Sequence, residues 1–220
     1  KLTSTNVNLG ILLLLAPLCK AARSCEADGS FDAIRSSLEG VLDNLTEGDA
    51  DCVYEAIRLS GAGGMGKVER YDVSQAHAGI PLKQAMAEAA HRDSIAREYV
   101  TNFSVTFEIS LPAIWEALNK GLSMRDAIVQ AFLTILSEVA DTLIARKLGI
   151  TEAAKVSKRA AEVLKTGGLY SATGKAAMRK CDLYLRRIGN KRNPGTTADL
   201  TVSGLFCTCL TASIKAPCLR

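Results

Sequence analysis

Apolar residues recur at three- and four-residue intervals along almost the whole chain, and that spacing predicts helices. Phe31, Ile34, Leu38, Val41, Leu42 and Leu45 fall on one such face. Asp49 begins another, carried by Cys52, Val53, Ala56, Ile57 and Leu59. A Gly-rich loop covers residues 61–81, followed by an Ala-rich helix over 82–100. Leu111-Pro112 opens a helix that includes Trp115 and Leu118. The longest predicted helix spans 124–148, with Ile128, Phe132, Ile135 and Val139 on one side. Thr151-Glu152 starts the next, which Gly167-Gly168 ends. Helices over 171–188 and 196–214 complete the set. Residues 103–109 alternate briefly in the manner of a strand, but nothing pairs with them. One all-α domain over residues 1–220 is the resulting expectation.

Composition refines this picture. With 220 residues, 48% of them hydrophobic, the chain can bury a good-sized core. Only 5% are aromatic, so Leu, Ile, Val and Ala must build it. A net charge of +4 suits a nucleotide or phosphorylated ligand but supplies no polybasic surface for nucleic acid. The seven Cys residues show no zinc spacing and no CxxC pair, and they read as reduced, mostly buried thiols of a cytoplasmic protein. The apolar run over 9–18 is shorter than the roughly 20 residues of a membrane span, and it contains Pro17. It reads as a buried core helix, and no membrane association is expected. The chain opens on Lys1 and enters its first helix almost at once, so residues upstream are expected to be missing.

The richest stretch is 190–200, Asn-Lys-Arg-Asn-Pro-Gly-Thr-Thr-Ala-Asp-Leu. It sets Lys191, Arg192 and Asn193 before a helix start at Thr196. A helix N-terminus presents unpaired N–H groups and partial positive charge, which suit phosphate oxygens. Gly195 would let a ligand approach the backbone. An ordinary cap, with Thr196 and Asp199 serving the helix end, explains the same residues.

Three further stretches carry candidate chemistry. Residues 61–66 hold four glycines in six positions and match GxGxxG by letter. A helix precedes them where a strand is needed, and Val68 stands where a P-loop requires a hydroxyl. A phosphate-binding loop through Gly63, Gly64 and Gly66 and a plain helix connection both remain open, with Asp72 just beyond. Arg92-Asp93 with Arg97-Glu98 reads as a surface ion pair by the Asp93–Arg97 spacing, or as a charged cleft in which Arg92 or Arg97 holds a phosphate. Asp141-Thr142 with Arg146 lies within the longest predicted helix. There Asp141 reads as a buried-edge carboxylate facing a ligand or magnesium, or as a simple solvated Asp. Asn6 and Asn8 precede the first helix as caps or ribose contacts.

Taken in order, residues 3–10 (Thr-Ser-Thr-Asn-Val-Asn-Leu-Gly), the 61–66 loop with Asp72, Arg92-Asp93, Asp141-Thr142 with Arg146, and 193–200 resemble the triphosphoribosyl-dephospho-CoA synthase family in its archaeal-type branch. Near the end the family often has Ser-Pro-Gly-Gly-Ser-Ala-Asp-Leu where this chain has Asn-Pro-Gly-Thr-Thr-Ala-Asp-Leu. Near the start it often has Thr-His-Lys-Gly where this chain has Val-Asn-Leu-Gly. Members also carry an N-terminal segment with a Pro-Gly element and acidic residues, absent here.

The resemblance implies transfer of the 5-triphosphoribosyl group of ATP to the 2′-hydroxyl of 3′-dephospho-CoA, with release of adenine. Carboxylates would stabilise an oxocarbenium-like state and accept the hydroxyl proton. Asp141 and Asp199 are the candidates, with Asp72 third, and Mg2+ would bridge the triphosphate to Asp141 and Asp199. Asn6, Asn8, Gly63, Gly64, Gly66, Arg92, Asp93, Arg146, Arg192, Asn193, Gly195 and Thr196 would bind the substrates. The implied partners are ATP and dephospho-CoA, with a homo-oligomer as one open arrangement. Competing readings are the same transfer to another coenzyme precursor, an ATP-dependent phosphotransferase, and a helical nucleotide-binding protein without turnover.

Overall fold

The structure is a computed structural model that describes residues 8–25, 30–61, 70–75 and 77–215, with side chains described as far as residue 210. Asn6, Gly63, Gly64, Gly66 and Cys218 lie outside the described residues. Among those described, the regular structure is helical and includes no strand, as the periodicity predicts. Contacts divide the chain into two compact units, Lys1–Phe103 and Ser104–Arg220.

The first unit contains α1 (Leu9–Ser24), α2 (Phe31–Asp43), α3 (Glu47–Ser60), α4 (Leu82–Ala89) and α5 (Ser94–Val100). Leu14, Leu18 and Ala21 of α1 meet a core that includes Ile34, Leu38 and Leu42 of α2. Helix α3 starts with a reciprocal capping box, in which Thr46 and Asp49 each satisfy the other's backbone N–H. Its side chains then fasten the segment that follows the Gly-rich stretch. The Tyr54 hydroxyl donates to the Tyr71 carbonyl at 2.6 Å, and Arg58 Nη1 donates to the carbonyls of Val73 and Gln75.

The predicted 82–100 helix is two helices. At the break Asp93 Oδ1 accepts from the N–H groups of Ile95 and Ala96, satisfying the start of α5. Glu98, placed on the surface by its charged neighbours, is fully buried in this unit.

The second unit contains α6 (Leu111–Asn119), α7 (Met124–Glu138), α8 (Thr142–Leu148), α9 (Ile150–Lys165), α10 (Ala172–Arg186) and α11 (Gly195–Lys215). Its core gathers Leu133 and Leu136 of α7, Ile144 of α8, the α9 stripe Ala153, Val156, Ala160 and Val163, and Cys181 and Leu185 of α10. This is the aliphatic, Ala-rich core the composition calls for. The opposite face of α9 carries Lys155, Lys158, Arg159 and Glu162.

Two local departures from expectation have physical causes. The alternating residues form a π-helix, Val105–Ser110, in which the Leu111 N–H reaches back to the Thr106 carbonyl. Pro112 follows immediately, has no N–H to donate and would crowd the Glu108 carbonyl in a regular α-turn. The wider turn accommodates it. The predicted 124–148 helix is likewise broken, by 56° between α7 and α8. Asp141 is the N-cap of α8, which ends the ladder where no Gly or Pro marks a stop.

No single helix among the described residues is long and apolar enough to cross a membrane. The described cysteines are free thiols, but they are less buried than expected: Cys181 and Cys207 are buried, whereas Cys19 and Cys52 are exposed.

Candidate active site

The second unit brings several of the singled-out residues together where α8 and α11 begin. Asp141 is 1% exposed, and its two carboxylate oxygens serve different helices. Oδ1 accepts from the Ile144 N–H of its own helix at 3.0 Å. Oδ2 accepts from both the backbone N–H and the hydroxyl of Thr197, each at 2.8 Å. One carboxylate therefore caps two helices that lie far apart in sequence. Beside it the Thr142 hydroxyl donates to Thr196 Oγ1 at 3.2 Å.

Helix α11 begins at Gly195, one residue before the expected start, so Thr196 is inside it and the cap is delivered from Asp141. Gly195 packs tightly against α8. A Cβ there would lie 2.6 Å from Leu143 Cδ2.

Burial pushes the Asp141 carboxyl above its ordinary range, and the hydrogen bonds from Thr197 and the α8 N-terminus partly oppose that rise. The donors around it are all N–H or O–H groups. Among the described residues no group of three His, Cys, Asp or Glu side chains could hold a metal ion. Asp199 is half-buried in the first turns of α11. Arg146 is half-buried at the end of α8, and Asn193 is exposed.

Arg192 belongs to a second cluster at the start of α9. Its Nε donates to Glu152 Oε1 at 2.5 Å, and the Tyr184 hydroxyl donates to the same oxygen at 2.7 Å. The guanidinium carbons of Arg159 and Arg192 lie 3.9 and 4.1 Å from the Tyr184 ring centroid. The Tyr184 and Arg192 donors drive the Glu152 carboxyl down to about 2. The sequence marks Arg192 through its neighbours but gives no sign of Tyr184. Glu152 is visible only as a first-turn acid.

The remaining candidates belong to the first unit. Asp72 is buried, and its Oδ1 accepts from the Ser74 N–H at 2.8 Å in an Asx-turn. Asp93 caps α5, while Arg92 is exposed in the turn before it. Asn8 occupies the N-cap position of α1, where its carbonyl accepts from the Leu12 N–H at 3.0 Å.

The model of the ATP:dephospho-CoA triphosphoribosyl transferase family matches residues 1–217. The chain belongs to this family. A relative from Klebsiella pneumoniae, named 2-(5''-triphosphoribosyl)-3'-dephosphocoenzyme-A synthase, is 29% identical over 98 residues, covering 44% of this chain and 34% of its own length. A relative from Stutzerimonas stutzeri, named "Probable 2-(5''-triphosphoribosyl)-3'-dephosphocoenzyme-A synthase", is 28% identical over 123 residues, covering 56% of this chain and 42% of its own. The matches thus span less than half the length of these curated relatives. A solved structure from Archaeoglobus fulgidus, described as a "putative triphosphoribosyl-dephospho-coA synthase", superposes with a TM-score of 0.71 at 28% identity. That match covers 93% of this chain and 83% of the Archaeoglobus chain. The triphosphoribosyl transferase fold is therefore the fold of both units described above.

Proposed function

We propose that this chain transfers the 5-triphosphoribosyl group of ATP to the 2′-hydroxyl of 3′-dephospho-CoA. The family match over residues 1–217 carries this reading. In the transfer the acceptor oxygen bonds to the ribose C1′ as the C1′–N9 bond breaks. Adenine departs with the C1′–N9 electron pair and takes up a proton, the acceptor's hydroxyl proton passes to a base, and the triphosphate stays on the transferred ribose. The reaction takes place in the cytoplasm, where ATP is available.

Within the second unit the two acidic candidates divide the work. Asp141 is a positioning residue, because its oxygens already hold the starts of α8 and α11. Asp199, half-buried near the same helix start, is assigned the base. Arg192 and the backbone before α11 face the phosphates, with Arg192 oriented by Glu152.

Incubation of the full-length protein with ATP, Mg2+ and dephospho-CoA tests the reading. Free adenine by chromatography and a product heavier by one triphosphoribosyl group are expected. ADP in place of adenine would assign a phosphotransferase, and neither product would leave the reading without support. Asp199→Asn is expected to lower the rate by about 10²-fold or more, the range a general base supplies. A loss of only a few-fold removes Asp199 from that role.

A further inference from the structure

The charged face of α9 does more than keep a helix soluble. Lys155, Lys158, Arg159 and Glu162 line a concavity of about 240 Å³ together with Tyr184 of α10. An amphipathic helix ordinarily alternates the signs on its wet face, so that i,i+4 pairs neutralise one another. Here Arg192 adds a fourth cation at the Tyr184 ring, and Glu152 and Glu162 are the nearby acids.

Glu152 is shared. It accepts from Arg192 at 2.5 Å and lies 3.5 Å from Lys155 Nζ. Among the described residues Lys158 and Arg159 have no ion-pair partner. Arg159 is held instead against the Tyr184 ring. Glu152 thus neutralises part of the cluster, and Lys158 and Arg159 are left as a local excess of positive charge, with Glu162 the other acid in the concavity, that an added anion would relieve. A guanidinium held against a ring is also oriented to present its N–H fork. The Tyr184 hydroxyl is tied to Glu152, so the ring that positions both guanidiniums is itself fixed.

We propose that the α9–α10 concavity binds an oligophosphate chain. Lys158 and Arg159 would contact its oxygens, and Tyr184 and Glu152 would act as positioning residues. An oligophosphate fits better than a single carboxylate, because Lys155, Lys158 and Arg159 lie within little more than one turn of α9, with Arg192 beside them at the Tyr184 ring, and several cations so close together call for more than one negative charge. The triphosphate of a nucleotide and the diphosphate of a coenzyme precursor share this chemistry.

Titration calorimetry of the full chain with inorganic tripolyphosphate tests the proposal without requiring turnover. Failure of the transferase assay therefore leaves it standing. The double variant Lys158→Ala/Arg159→Ala is expected to weaken tripolyphosphate binding at least tenfold with its thermal transition unchanged. Lys165→Ala/Lys180→Ala removes the same charge elsewhere on α9 and α10 and is expected to bind as the unaltered chain does. Tyr184→Phe should retain the ring and most of the affinity, and Tyr184→Ala should lose it. Competition by ATP would assign the site to a nucleotide, and competition by dephospho-CoA to the coenzyme precursor. Equal weakening by both double variants would reduce the site to diffuse charge. Absence of tripolyphosphate binding, or binding that survives Lys158→Ala/Arg159→Ala, overturns the proposal.

Discussion

At the scale of single residues, the carboxylates that invite a catalytic reading mostly serve backbone N–H groups. Asp93 and Asp141 cap helices, Asp49 completes a capping box and Asp72 closes an Asx-turn. The residue types that suit acid–base chemistry are also those best at accepting from the backbone, so letter patterns alone do not separate the two roles. Asp141→Asn keeps one acceptor but turns an amide donor toward donors. Urea denaturation is expected to show a loss of about 1–3 kcal/mol, the usual cost of leaving buried polar groups unsatisfied. Glu152 makes a pH prediction of the opposite kind to a buried acid. Its pKa in the folded chain, about 2, lies below its ordinary 4.5, so the ionised form favours folding. That contribution is present above the ordinary value and declines as pH falls toward 2. The Glu152 carboxyl signal, followed by NMR, should titrate near 2 rather than near 4.5, and Glu152→Gln should flatten the acid limb of the stability profile.

At the scale of elements, the contrast between glycines within helices is testable. Gly174 of α10 lies against the chain before it, where a Cβ would be 2.0 Å from the Gly168 carbonyl oxygen. Gly174→Ala should cost about 1–3 kcal/mol by overpacking. Gly40 of α2 has nothing within 4 Å of the same position, so Gly40→Ala should stabilise by up to about 1 kcal/mol through helix propensity. Parallel chemical denaturation of the two variants gives both signs. Helix identity was legible because the apolar stripes are strong, as with Ala153, Val156, Ala160 and Val163 on α9. The breaks at Asp93 and Asp141 were not, because the apolar spacing runs through them and the cap depends on which way one side chain turns. For Asp141 the deciding partner is Thr197, and no local pattern reports a contact 56 residues away. The π-helix was hidden for a related reason: Pro112 signals a helix start but does not say that the preceding turn will widen. In the candidate site, Arg192 stood out by its neighbours, whereas Tyr184 became visible only once α9 and α10 were packed.

At the scale of the whole molecule, the ordered set of short motifs carried the family, while the role of each residue depended on packing. The second unit has its own core from α7 to α10, and its N-terminal boundary falls just before the π-helix. A fragment of residues 104–220 is therefore expected to keep a cooperative thermal transition by far-ultraviolet circular dichroism; a broad, sloping melt would show that its core needs the rest of the chain. The doubly engaged carboxylate of Asp141 gives that unit one more property. Helix ends normally fray one at a time, and their first amides exchange with solvent fastest. Here the Thr197 amide is locked to a group that also secures α8, so both ends must open together. Its hydrogen–deuterium exchange should be slow for a helix start, matching the interior of α8.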